Sequence, residues 1–131
     1  MFAKAARNLL TYGLILGGGL AIGHYLPAAA KMLTPKYSEG NFNAYYASAG
    51  TKVVVYGTPT CPYCAKARAY LKERGIAFSD FDLTTSDKAK RDFTQLGGKA
   101  VPVILIGNRQ LVGFDKDAID AALDKLKTSS M

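Results

Sequence analysis

Residues 60–64 read Thr60-Cys61-Pro62-Tyr63-Cys64, and Cys61 and Cys64 are the only cysteines in the 131-residue chain. Two thiols at this spacing can pass between dithiol and disulfide, a reversible two-electron change. The preceding run Val53-Val54-Val55-Tyr56 is apolar and β-branched, and the residues that follow favour helix, so the pair is predicted at a strand-to-helix junction. At such a junction Cys61 meets unpaired backbone N–H groups and the positive end of the helix dipole. Both favour its anion and make it the expected nucleophile. Cys64, one turn on and on the same face, is positioned to attack a mixed disulfide formed at Cys61 and release the substrate reduced.

Other uses of the pair fit the sequence less well. Zinc takes four ligands, and beyond these thiols the chain offers only His24, far upstream in an apolar segment, so no metal is expected. A structural disulfide closing so short a loop would constrain the unfolded chain little. The net charge of +7 raises the question of nucleic acid. The cations Lys66, Arg68, Lys72, Arg74, Lys88, Lys90 and Arg91 fall at helical spacings beside Glu73, Asp87 and Asp92, without an aromatic-interleaved patch. They read as solvated helix faces, suited to anionic lipid headgroups or acidic protein substrates rather than to nucleic acid.

The elements that must hold the thiols follow from pattern. With Pro62 in its first turn, a helix is predicted to about Arg74, ended by Gly75. Residues 76–83 alternate around Phe78 and Phe81 as a second strand, and Thr85 or Ser86 can cap a helix ending near 96–98. Residues 102–106 form a compact apolar strand, and Gly107-Asn108 turns it into a hairpin with 109–112. Residues 115–127 carry acid early and lysine late, matching a helix dipole. The order βαβαββα predicts an α/β domain. Its four-stranded mixed sheet has helices on both faces, the first two strands parallel, the final hairpin antiparallel, and 109–112 at one edge.

From residue 51 to about 127 the chain resembles a glutaredoxin, a family with the thioredoxin-like fold. The resemblance is carried by Cys61-Pro62-Tyr63-Cys64, by Lys99-Ala100-Val101-Pro102-Val103-Ile104 and by Leu111-Val112-Gly113-Phe114-Asp115. It implies a thiol-disulfide oxidoreductase that reduces protein or glutathione mixed disulfides, with glutathione as co-substrate and no tightly bound cofactor. It also implies a cis Pro102 beside the cysteines, leaving the backbone of Val101 free to pair with an extended substrate. Gly113, Phe114 and Asp115, at the start of the last helix, would then hold the charged end of glutathione, the alternative for Asp115 being helix capping alone. Tyr63 is expected to shield one side of the pair and offer ring surface to substrate, or simply to be exposed. The chain departs from the family at Thr58, where a lysine commonly meets a glutathione carboxylate, and at Ala100, where the family carries threonine. Gly113-Phe114 is similar to NrdH-like redoxins, which take electrons from thioredoxin reductase. The alternatives are such a donor, an iron–sulfur-bridging glutaredoxin, which Pro62 disfavours, and a redox-inactive membrane module.

The amino-terminal third is of another character. After a basic start (residues 1–8), residues 9–30 contain no Asp, Glu, Lys or Arg. A run of about 20 such residues is enough to span a bilayer. The segment is read as a single-pass transmembrane anchor, as in a bacterial inner membrane, or as a cleavable signal with a small-residue region at 26–30. The lipid bilayer is accordingly an expected partner. Gly13, Gly17, Gly19 and Gly23 give GxxxG spacings. Residues 31–50 read as a linker whose aromatics Tyr37, Phe42, Tyr45 and Tyr46 rest at headgroup level or against the redox domain, which spans 51–131.

Overall fold

The computed structural model describes residues 2–33, 36–47 and 49–130 and, within the first helix, the side chains of 4–20 and 23. The chain divides into two compact units, Met1–Pro35 and Lys36–Met131.

The first unit holds one helix, α1 (Phe2–Leu33). Leu9, Leu10, Leu14, Ile15, Leu16 and Leu20 are all exposed on it. Among the described residues, however, no helix is long and apolar enough to cross a membrane, so the expected transmembrane span is not found. The helix takes in Lys4 and Arg7. Thr11, Gly13, Gly17, Gly18 and Gly19 dilute the apolar character of its described stretch, residues 9–20. The readings attached to the side chains of His24, residues 26–30 and Lys31 lie outside the described side chains, and those at Pro35 and Ser48 outside the described residues.

The second unit has the predicted βαβαββα core. It consists of β2 (Val53–Gly57), α3 (Pro62–Glu73), β3 (Ser79–Asp82), α4 (Asp87–Gln95), β4 (Val103–Ile106), β5 (Arg109–Val112) and α5 (Lys116–Ser129). The region read as a linker adds a strand, β1 (Tyr37–Glu39), and a short helix, α2 (Asn43–Tyr46). The sheet therefore has five strands rather than four, in the order β1-β5-β4-β2-β3. The edge expected at residues 109–112 is covered by β1. Only β2 and β3 run parallel. Side chains of β5 and α5 fix β1 in place. The Arg109 guanidinium lies 4.0 Å from the Tyr37 ring centroid, and Glu39 accepts hydrogen bonds from Arg109 and Lys125.

Because both faces of the sheet are covered, β2 and β4 are apolar throughout, and the two-residue period deals their side chains alternately to the two sides. Val53, Val55, Ile104 and Ile106 pack with Ala67 and Leu71 of α3 and with Ile119, Ala122 and Leu123 of α5. Val54, Tyr56, Val103 and Leu105 pack with Tyr46 of α2 and Ala89 of α4. The aromatics of residues 37–46 thus rest against the domain, and the Tyr46 hydroxyl donates to the Gly107 carbonyl at 3.0 Å.

Helix ends follow local chemistry. Ser86 and Asp115 cap α4 and α5 by accepting from the N–H groups of Ala89 and Ala118. At the end of α3, Gly75 takes a φ of 65°, and the N–H groups of Gly75 and Ile76 close on the carbonyls of Lys72 and Leu71.

Candidate active site

The site sits where β2 hands over to α3. Cys61 is the N-cap of α3, and its Sγ accepts the Cys64 backbone N–H at 3.1 Å. Pro62, lacking an N–H, follows in the first turn, where that donor would have had no partner within the helix. Both cysteines are free thiols, Cys61 partly exposed and Cys64 fully buried.

Their environments drive the two pKa values apart. At Cys61, partial burial pushes the pKa upward, but it is outweighed by hydrogen bonds from the Cys64 thiol and from the N–H groups of Cys64 and Tyr63, together with the charge of Arg68. The net displacement is below the ordinary thiol value. At Cys64, burial first, and then the hydrogen bond it gives to Cys61, raise the pKa to about 11, with the Thr58 N–H and Arg68 acting in opposition. One sulfur is thus disposed to be a thiolate and its neighbour a thiol, which is the division of labour between attack and resolution.

Backbone at the start of β4, the strand antiparallel to β2, completes the site. The Val101–Pro102 peptide is cis, and the Val101 carbonyl lies 3.9 Å from the Cys61 sulfur, within reach of its S–H. Gly113, at φ 84°, donates its N–H to the Pro102 carbonyl at 2.8 Å, which holds the end of β5 against the start of β4. Cys61, Cys64, Thr58, Val101, Pro102 and Gly113 are thereby gathered. Tyr63 is 58% exposed, its ring approached by the Lys66 ammonium at 5.3 Å, so it flanks the pair from solvent. Phe114 and Asp115 are engaged elsewhere. Phe114 meets the Tyr70 ring edge-on, and the Asp115 carboxylate both caps α5 and pairs with Lys36.

Two further residues shape the site without having stood out in the sequence. Gly57 ends β2 against the buried thiol. Arg68, read there as one of several solvated cations, has a side chain only 17% exposed, donating to the Asp80 carboxylate at 2.8 Å and to the Thr58 carbonyl at 3.2 Å. Its spacing carried the signal: Arg68 follows Cys61 by seven residues and Cys64 by four, which places all of them on one helix face. Among the described residues, no group of His, Cys, Asp or Glu side chains is arranged to hold a metal ion.

A thioredoxin-like fold with a paired nucleophilic and buried thiol at a helix N-terminus defines a thiol oxidoreductase. Residues 53–112 match the glutaredoxin family model. The chain is 38% identical over 74 residues to a glutaredoxin-like 8.6 kDa protein encoded in a rubredoxin operon of Clostridium pasteurianum, covering 56% of this chain and 99% of that one. The protein belongs to the glutaredoxin family. Among solved structures it superposes on a glutaredoxin from Archaeoglobus fulgidus (TM-score 0.52, 23% identity, 64% of this chain and 97% of that one). It also superposes on the NrdH-redoxin of Escherichia coli (TM-score 0.51, 21% identity, 54% and 93%). At these identities the superpositions bear on the fold.

Proposed function

We propose that this protein reduces disulfides of proteins, and mixed disulfides of proteins with glutathione, using glutathione as its source of electrons. The Cys61 thiolate attacks one sulfur of the substrate disulfide. A new S–S bond forms at Cys61, and the other sulfur departs with the electron pair and takes up a proton. Either Cys64 or a glutathione thiolate then attacks the mixed disulfide. In the first case Cys61–Cys64 is left as a disulfide, which two glutathione molecules reduce while themselves becoming oxidised.

The observation that carries this reading is the Cys61 sulfur held as the α3 cap, accepting an N–H, directly beside a thiol that burial keeps protonated. Membership of the glutaredoxin family supports glutathione as the co-substrate. So does the edge of backbone at Val101 beside the nucleophile: among the described residues its N–H has no partner, leaving it to pair with an extended tripeptide. At Thr58, a hydroxyl in place of an ammonium offers a carboxylate a neutral hydrogen bond instead of a charge-assisted one, so glutathione binding is weak.

A coupled assay tests the reading. The purified chain is given a glutathionylated peptide, with NADPH and either glutathione plus glutathione reductase or thioredoxin reductase alone. Turnover with glutathione is expected, and Thr58→Lys lowers the apparent KM for glutathione. Turnover with thioredoxin reductase alone would identify an NrdH-like donor and overturn the glutathione assignment.

Membrane localisation is a separate proposal, supported by the exposed leucines and Ile15 of α1 and by the absence of charge over residues 9–30. Flotation of the full chain with phospholipid vesicles is expected, and recovery in the vesicle-free fraction would refute it.

A further inference from the structure

The buried thiol poses a problem that the helix terminus does not solve. Cys64 must become a thiolate to resolve a mixed disulfide, yet it is fully buried, and burial disfavours charge. A cation fixed next to it offsets that cost only if it cannot swing away into solvent.

Arg68 meets this condition. Its Nε is tied to Asp80 on β3 and its Nη1 to the Thr58 carbonyl, while among the described residues Nη2 has no hydrogen-bond partner. That free corner lies beside the buried thiol. The position a Cβ on Gly57 would occupy lies 2.8 Å from the Cys64 sulfur and 3.2 Å from Arg68 Nη2, so the two atoms are no more than about 6 Å apart. Residue 57, being glycine, puts no side chain between them. The other ionisable groups around the pair are Cys61 on α3 and Asp80 and Asp82 on β3, and Asp80 is occupied by the guanidinium itself.

We infer that Arg68 is the positioning residue for the resolving step: its tethered guanidinium is the counter-ion of the Cys64 thiolate when Cys64 attacks the mixed disulfide at Cys61. In that attack the Cys64 proton passes to a solvent base, the Cys61–Cys64 bond forms, and the substrate thiolate leaves with the electron pair. The inference rests on the thiol-disulfide reading above and assigns a residue to its second half.

Ellman's reagent separates the two halves. Attack by Cys61 releases one equivalent of coloured thiolate in a first phase, and attack by Cys64 on the resulting adduct releases another in a unimolecular second phase. Losing the counter-ion should raise the pH midpoint of the second phase by about one unit. The higher basicity of the remaining thiolate partly compensates, so the rate at neutral pH falls only by roughly threefold. Arg68→Met is expected to show this, with the first phase changed less than the second, and Arg68→Lys to retain most of the parent's pH midpoint. Should Arg68→Met fail to give the parent's circular dichroism spectrum, Arg68→Gln against Arg68→Lys makes the same comparison of charge. A second phase whose rate and pH midpoint ignore the charge at residue 68 overturns the assignment alone. A parent protein with no first phase overturns it together with the thiol-disulfide reading.

Discussion

Gly57 and the Cys64 sulfur touch: a methyl group built on Gly57 would stand 2.8 Å from Sγ, closer than such contacts occur. Strand β2 and helix α3 approach this tightly only because residue 57 has no side chain. The buried thiol is therefore shaped by the strand behind it as much as by its own helix.

Gly57→Ala should accordingly force Cys64 outward. Overpacking of this kind costs about 1–3 kcal/mol. Urea denaturation is expected to show that loss, and Cys64 should become open to alkylation in the folded variant. An unchanged stability with Cys64 still protected would show that the site relaxes around the methyl group.

Cys64→Ser leaves Cys61 with its cap position and its nucleophilic role but removes the intramolecular resolving thiol. Treated with glutathione disulfide and then desalted, the variant should retain one glutathione on Cys61, found by peptide mass spectrometry, whereas the parent should end as the internal disulfide. A variant that carries no adduct would mean that Cys61 does not make the first attack.

The Asp115 carboxylate accepts the Ala118 N–H at 3.0 Å and pairs with Lys36. Its pKa lies below the usual carboxylate value, first through the hydrogen bond from Lys36 and then through that from Ala118, despite partial desolvation. Losing the cap costs about 1 kcal/mol, so Asp115→Ala should be less stable than the parent by that order at neutral pH. A carboxyl depressed in the folded state contributes fully above its unfolded pKa and loses that contribution as pH falls through the folded one. The parent-variant difference should therefore shrink below about pH 4. A difference that persists undiminished in acid would place the effect outside the charge.

The redox core was legible because its signals are local and consistent. The apolar runs of β2 and β4, Gly75 after α3, Ser86 before α4 and the Gly107-Asn108 turn each specify the element found there. What escaped was what depends on partners distant in sequence. Tyr37, Ser38 and Glu39 have no strand pattern of their own, and they become a strand because Arg109 and Lys125, about 70 residues or more away, hold Tyr37 and Glu39 beside β5. Arg68 escaped for a similar reason, since Asp80 and the Thr58 carbonyl, which turn a surface cation inward, lie on other elements. The amino-terminal run is a different case. The absence of charge over residues 9–30 suggested a span, while the glycines and Thr11 thin out the apolar surface of the described helix.

The most direct measurement is the pH dependence of iodoacetamide alkylation of the reduced protein, with the modified residue located by mass spectrometry. The rate should follow ionisation of Cys61, with a midpoint below that of an ordinary thiol, near pH 8.5. Modification should fall on Cys61 alone until the solution approaches the pKa of Cys64, about 11. A midpoint at the ordinary value, or alkylation of Cys64 before Cys61, would contradict the assignment of Cys61 as the nucleophile.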